Sequence, residues 1–221
     1  GVQLIITVDN GISGIEPIRR AKELGIDIIV TDHHEAGPEL PAADIIIHPR
    51  VPKGHYPFGE LAGVGVAFKL AHALYGEIPD HLYEFVAIGT IADLVPLVGE
   101  NRFLVKKGID ALKRSRNPWV RAICDVSGVE QSSINEETIG FYFAPRLNAV
   151  GRLGDAMPGV SFLMSETGAD AKMLAKLLND KNSERKQIVN DIYEEAVAQI
   201  ENSDVLKNSK VLIVGQEGWN A

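Results

Sequence analysis

The N-terminal part of the chain alternates short apolar runs with segments of helical periodicity. Residues 3–8 are apolar and rich in β-branched side chains, and they stop at Asp9-Asn10-Gly11, so a strand should open into a loop there. Residues 12–24 then carry apolar positions at helical spacing, Ile15, Ile18, Ala21 and Leu24, and Gly25 is well placed to end that helix. Residues 25–31 read as a second, buried strand running into Asp32-His33-His34. Strand, helix and strand within about thirty residues make a βαβ unit, with parallel strands and a right-handed crossover. Asp9 and Asp32 are therefore expected at the same edge of neighbouring or near-neighbouring strands.

Further along, residues 43–47 predict another short strand, ended by His48-Pro49 and followed by a loop through Pro52, Gly54, Pro57 and Gly59. A helix is expected over residues 61–74, with Gly76 as its stop. Its glycines, Gly63 and Gly65, suit close helix packing or close approach to a ligand, and helix packing is the preferred use. Residues 81–94 predict a helix that carries Asp93 in its last turn. Residues 169–201 form one long helical pattern that is polar all round between 179 and 187, as in helices that bridge two bodies across solvent. Residues 211–215 read as a fresh strand opening a second domain. The chain has no initiator Met and begins almost directly on a strand, which reads as a piece of a longer protein.

The candidate chemistry sits where these elements end. Open α/β sheets hold ligands beyond the carboxyl ends of their strands, and Asp32-His33-His34 occupies such a place. A neutral imidazole binds metals such as zinc and manganese, and a neighbouring aspartate can fix its tautomer. Asp93 lies among apolar residues at a helix C-terminus, where the macrodipole opposes a carboxylate; a metal or a cationic side chain would compensate. Arg146, Asn148 and Arg152 interleave with small and apolar residues. The two arginines either present planar donors to phosphate or tie a loop to the core.

Composition narrows the class. Hydrophobic content of 45% and charged content of 24% suit a globular chain, and no apolar run approaches the roughly 20 residues of a bilayer span. The single cysteine, Cys124, excludes an internal disulfide and reads as a small buried hydrophobe. His48, His55, His72 and His81 read as structural or surface residues. The net charge of −8 argues against general adhesion to polyanions, but residues 101–121 reverse it. There Arg102, Lys106, Lys107, Lys113, Arg114, Arg116 and Arg121 stand against Asp110 alone, either as a solvated helix face or as a strip that holds phosphates.

Five motifs, in this order, resemble the DHH phosphoesterase superfamily and within it the exonucleases of single-stranded DNA. They are Thr7-Val8-Asp9-Asn10-Gly11, Val30-Thr31-Asp32-His33-His34, Leu61-Ala62-Gly63-Val64-Gly65-Val66-Ala67-Phe68-Lys69, Gly89-Thr90-Ile91-Ala92-Asp93-Leu94-Val95-Pro96-Leu97 and Pro145-Arg146-Leu147-Asn148-Ala149-Val150-Gly151-Arg152. The resemblance implies an α/β fold: a parallel-sheet DHH domain with a helical subregion over residues 1–168, a linker helix over 169–207, and over 208–221 the first strand of a DHHA1-type second domain. The superfamily's first motif, an Asp-x-Asp pair, and the glycine- and histidine-bearing motif of its second domain have no counterpart in these residues. By resemblance, Asp9, His33 and Asp93 are metal ligands, with Asp9 bridging two divalent ions, Mn²⁺ or else Mg²⁺. Asp32 orients His33, and His34 either bonds the scissile phosphate or protonates the leaving 3′ oxygen. Arg146, Asn148 and Arg152 hold the terminal phosphate and backbone of the substrate.

The implied activity is metal-dependent 5′-to-3′ hydrolysis of single-stranded DNA to mononucleotides, in the cytoplasm, in DNA repair and recombination. Single-stranded DNA is the implied partner, with a single-strand-binding protein and a recombination helicase beside it and no membrane. Two alternatives stand alongside: a phosphodiesterase of short oligonucleotides or cyclic dinucleotides, and a catalytically silent replication scaffold. Such scaffolds tend to lose ligands, whereas Asp9, Asp32, His33, His34 and Asp93 are all present.

Overall fold

A computed structural model describes residues 1–51 and 54–219 of the chain; Pro52, Asn220 and Ala221 of the segments above lie outside the described residues. The chain divides into two compact units, Gly1–Ala144 and Pro145–Ala221.

The first unit is built on a parallel sheet of three strands in the order β1-β2-β3. β1 (Leu4–Val8) and β2 (Asp27–Thr31) pair from Leu4↔Asp27 to Val8↔Thr31, and β3 (Ile45–Ile47) pairs with β2 from Ile29↔Ile45 to Thr31↔Ile47. Because the three strands are in register and parallel, Asp9, Asp32 and His48 all follow the same edge of the sheet. The connecting helix α1 (Ile15–Glu23) begins at the first of its spaced apolar residues, after Gly14 N–H has turned back to the Gly11 carbonyl. Ile18 of α1 packs on Ile28 and Val30 of β2, and burying side chains of this size contributes roughly 1.5–3 kcal/mol each. β1 is an edge strand, with Leu4, Ile5, Ile6 and Val8 exposed.

Four α-helices, a short 3-10 helix over Gln131–Ser133 and a π-helical turn follow in the described part of the first unit. α2 (Gly63–Tyr75) ends at Gly76, where φ is 77°, and α3 (Asp80–Ala92) ends on Asp93 as its C-cap. α4 (Gly99–Arg114) and α5 (Pro118–Ser127) follow. Leu61, Val66, Phe68, Val86 and Leu104 form a core shared by α2, α3 and α4, and Phe85 stacks on the buried Trp119 of α5. The last six residues of this unit before Ala144, Thr138–Phe143, form a π-helical turn that runs straight into α6 (Ala144–Leu153). Arg146 and Arg152 thus sit on a helix, not on a loop.

In the second unit α7 (Met157–Leu163) packs against α8 (Gly168–Glu201). The side chain of Thr167 caps α8 by accepting the Asp170 N–H at 3.1 Å. Ala171, Ala175, Leu178 and Asn182 form the buried stripe of α8, which is about 51 Å long at 1.5 Å per residue. A short helix, α9 (Asp204–Lys207), follows. The strand expected over residues 211–215 does not form: these residues pair with nothing as a ladder, and Val211 and Ile213 are 73% and 84% exposed. A strand needs neighbouring backbone to take its N–H and C=O groups, and the described part of this unit offers only helices.

Candidate metal centre

The site lies at the carboxyl edge of the sheet, where three loops of the first unit meet. The Asp9 N–H donates to the Thr31 carbonyl at 3.0 Å, so the loop after β1 is tied to the end of β2. Asp9 itself has φ 61°, a left-handed backbone that aspartate tolerates better than most side chains. Leu94, directly after Asp93, has φ 60°. Both strained residues therefore belong to this site, and sparsely populated backbone of this kind collects at functional positions.

Asp32 is the hub. It is buried, and its Oδ2 accepts the Ile12 N–H at 2.9 Å. Its Oδ1 accepts the His33 N–H at 2.8 Å and the His34 N–H at 3.2 Å, and lies 2.7 Å from His34 Nδ1. Burial pushes this carboxyl upward, but those four hydrogen bonds outweigh it and hold the group below the usual carboxylate range. The ring that Asp32 holds is therefore that of His34, not that of His33 as the motif suggests. The i+2 spacing lets the loop fold His34 back over the carboxylate, whereas His33 gives Asp32 only its backbone N–H. The bond from Asp32 raises the pKa of His34, with Asp9 and Asp93 adding to it against a smaller opposing effect of burial.

His33 faces the other way. Its Nε2 is buried and has no hydrogen-bond partner, yet lies 3.2 Å from Asp9 Oδ1 and 3.5 Å from Asp93 Oδ2. These distances are short enough for contact, but the directions do not make hydrogen bonds, so His33 Nε2 is left unpartnered with a carboxylate oxygen of each aspartate beside it. His34 stands close by: one donor atom each from Asp9, His33 and His34 lie within 4.8 Å of one another, and the two rings are 4.6 Å apart. Burial, with the Asp9 charge adding to it, raises the Asp93 carboxyl above its ordinary value, while His33 and His34 act in the opposite sense. An orphaned imidazole nitrogen between two like-charged carboxylates is a donor set that fits a divalent cation such as Mn²⁺ or Mg²⁺.

Three residues that shape this centre escape a reading by motif chemistry. Gly63 opens α2 directly against Asp9: a β-carbon at position 63 would lie 2.7 Å from Asp9 Cβ and closer still to the carboxylate. Close approach to a ligand-bearing side chain, and not helix packing, is thus the use of this glycine; Gly65 faces the Leu61 side chain instead. His48 Nδ1 accepts the Arg50 N–H at 3.0 Å, which leaves Nε2 to donate to the His34 carbonyl at 2.7 Å. The Arg50 guanidinium donates to the His33 carbonyl at 2.7 Å. The turn after β3 thereby clamps the backbone of both histidines, and its position at the third strand end is the signal that points to it. An open cleft of about 250 Å³ adjoins, lined by His33, His34, Glu35, Arg50, Gly59, Glu60, Leu61 and Val95.

α6 presents its candidates on two sides. Asn148 and Arg152 are exposed and four residues apart, so they share a face. Arg146 is half-buried on another, with Nε donating to Asn179 Oδ1 of α8 at 3.1 Å, and burial lowers its pKa.

Residues 3–90 match the DHH family, N-terminal domain, which spans the strands, both histidines and Gly63. The single-stranded-DNA-specific exonuclease RecJ of Bacillus subtilis (strain 168) is 49% identical over 220 residues, covering 100% of this chain and 28% of that protein. The structure of RecJ in complex with Mn²⁺ from Thermus thermophilus superposes with a TM-score of 0.80 at 31% identity, over 90% of this chain and 31% of that one. The same protein in complex with Mg²⁺ gives a TM-score of 0.67 at 28% identity, over 89% and 28% of the two chains. The chain thus spans less than a third of the length of these relatives. Among the described residues no helix is long and apolar enough to cross a membrane.

Proposed function

We propose that this chain is the catalytic part of a metal-dependent exonuclease that degrades single-stranded DNA from the 5′ end to 5′-mononucleotides. The observation that carries this is the orphaned His33 Nε2 between the carboxylates of Asp9 and Asp93. Relatives that are named RecJ, with structures in complex with Mn²⁺ and Mg²⁺, support the same choice of metal and substrate. Asp9, His33 and Asp93 hold the cation. A divalent cation bound there supplies Lewis-acid polarisation of the phosphodiester and activation of the attacking water.

The other residues take roles that their geometry suits. Water attacks phosphorus, the bond from phosphorus to the 3′ oxygen breaks, and the departing oxygen takes a proton from His34. Asp32 fixes that ring through Nδ1, leaving Nε2 for the proton, and keeps its protonated form favoured. Asn148 and Arg152 on one face of α6 bind the phosphates of the strand, with Arg146 anchored on Asn179. In this reading residues 1–168 are the DHH domain, 169–207 its linking helix, and 208–221 the lead into a DHHA1-type domain. The first strand of that domain forms once a sheet is beside it. Cytoplasmic DNA repair and recombination, with a single-strand-binding protein and a recombination helicase as partners, completes the reading.

The test is Mn²⁺-dependent release of nucleotides by the full-length protein carrying Asp9→Asn or His33→Ala. Asn is preferred at position 9 because it tolerates the left-handed backbone there. Loss of release with an unchanged melting temperature is expected; retention of most activity in either variant overturns the assignment.

A further inference from the structure

We infer that the exposed face of α4 is a binding track for single-stranded nucleic acid, a surface separate from the metal centre. The choice of a single strand as its occupant rests on the exonuclease reading.

α3 ends at Asp93 and α4 begins six residues later, at Gly99. α4 then returns along α3: Leu104 packs with Val86, and Gly108 lies against Ala87 and the Tyr83 backbone, where a β-carbon would not fit. The helix therefore starts near the metal centre and runs away from it for about 24 Å. On its outer side Arg102, Lys106 and Lys113 fall within about 40° of arc, and Phe103, Lys107 and Arg114 fill a similar arc beside them, with the exposed Asp110 between the two arcs as the one carboxylate among five cations.

All five cations are exposed, and none has an ion pair with an acidic side chain among the described residues. The nearby Glu100 is already engaged by Tyr56 and Lys69. In a chain of net charge −8, a row of unpaired like charges on one helix is unfavourable alone and is relieved by a polyanion. The aromatic residue decides which polyanion. Phe103 is 56% exposed within the basic row, and Lys107 Nζ stands 5.4 Å from its ring centroid. A flat apolar face flanked by cations takes a stacked base with its phosphates; an acidic peptide has no use for it.

The experiment is anisotropy of a labelled thymidine oligonucleotide with the full chain, in EDTA so that no cleavage occurs, over a range of salt. The triple variant Arg102→Ala, Lys106→Ala, Lys113→Ala should lower the slope of log affinity against log salt by about 2, since each lost phosphate contact to a single strand removes about 0.7. Lys106→Ala alone, the milder change should the triple variant fold poorly, should lower it by about 0.7. Phe103→Ala should weaken binding about fivefold or more while leaving the slope unchanged. Wild-type affinity and slope in the charge variants overturns the track. So does a lowered slope with no effect of Phe103→Ala and equal competition by polyglutamate, which marks a face for acidic protein. Because metal and cleavage are absent from this assay, failure of the metal centre in the Asp9→Asn test is read separately.

Discussion

Gly63→Ala should disable the metal centre while sparing the fold. The new methyl group would sit 2.7 Å from Asp9 Cβ, so Asp9 must retreat by about 0.7 Å to reach the ordinary contact distance of 3.4 Å, and its carboxylate by more. The methyl group cannot give way, because it is fixed to the first turn of α2. Asp9 can, since its side chain is 52% exposed. Misplacing a reacting group by about 1 Å costs on the order of 10²-fold in rate, and loss of a supporting contact costs about 10–100-fold in metal affinity. Stability without metal should stay within about 1 kcal/mol of the parent, because alanine favours a helix over glycine by about that amount.

Calorimetric titration with Mn²⁺ measures the affinity directly, and thermal melts with and without Mn²⁺ check it. At a Mn²⁺ concentration of about 100 times the parent's Kd, binding stabilises the parent by about 2.7 kcal/mol, whereas a variant weakened about 100-fold gains only about 0.4 kcal/mol. Equal Mn²⁺ affinity in the two proteins would refute the placement of Asp9 as a ligand against Gly63.

Other consequences follow from single positions. Leu94 is 88% exposed and left-handed, so Leu94→Gly should raise stability in urea by roughly 0.5–1 kcal/mol as strain is relieved against the entropy of glycine; a fall would show that Leu94 packs productively. Burial, aided by Asp125, pushes the Cys124 thiol up to about 11, so Ellman's reagent at about pH 8 should react only after denaturation; immediate reaction in native buffer contradicts this. Asp44 is held below its ordinary range, first by the Lys22 ammonium and then by the Ile28 N–H. Its contribution is present above the unfolded pKa and disappears as pH falls through the lower folded value, so Asp44→Asn should make the acid loss of stability shallower below about pH 4. An unchanged acid limb in that variant would remove the ion pair from consideration.

What the sequence made legible is what period and residue type encode. The βαβ unit follows from the spacing of Ile18, Ile28 and Val30, and once its strands are parallel Asp9 and Asp32 must share an edge. The end of α3 likewise delivers Asp93, because an apolar helix closes there. Pairings within a loop were not legible. Whether Asp32 holds the ring of residue 33 or 34 depends on how the backbone folds back over the carboxylate, and both are neighbours in the chain. Gly63 shows the same limit: a missing side chain says that something comes close, not what. Residues 211–215 have strand composition, yet composition supplies no partner for their backbone. The π-turn at Thr138–Phe143 has no periodic signature either, since one extra residue in a turn leaves the apolar spacing nearly helical.

The convergence of Asp9, His33 and Asp93 is tested most directly by anomalous diffraction from crystals of the chain equilibrated with Mn²⁺. An ion bonded to His33 Nε2 and to a carboxylate oxygen of both aspartates is the expected result. Saturating Mn²⁺ that leaves this point empty, or settles where fewer than two of the three side chains reach it, would contradict the metal centre.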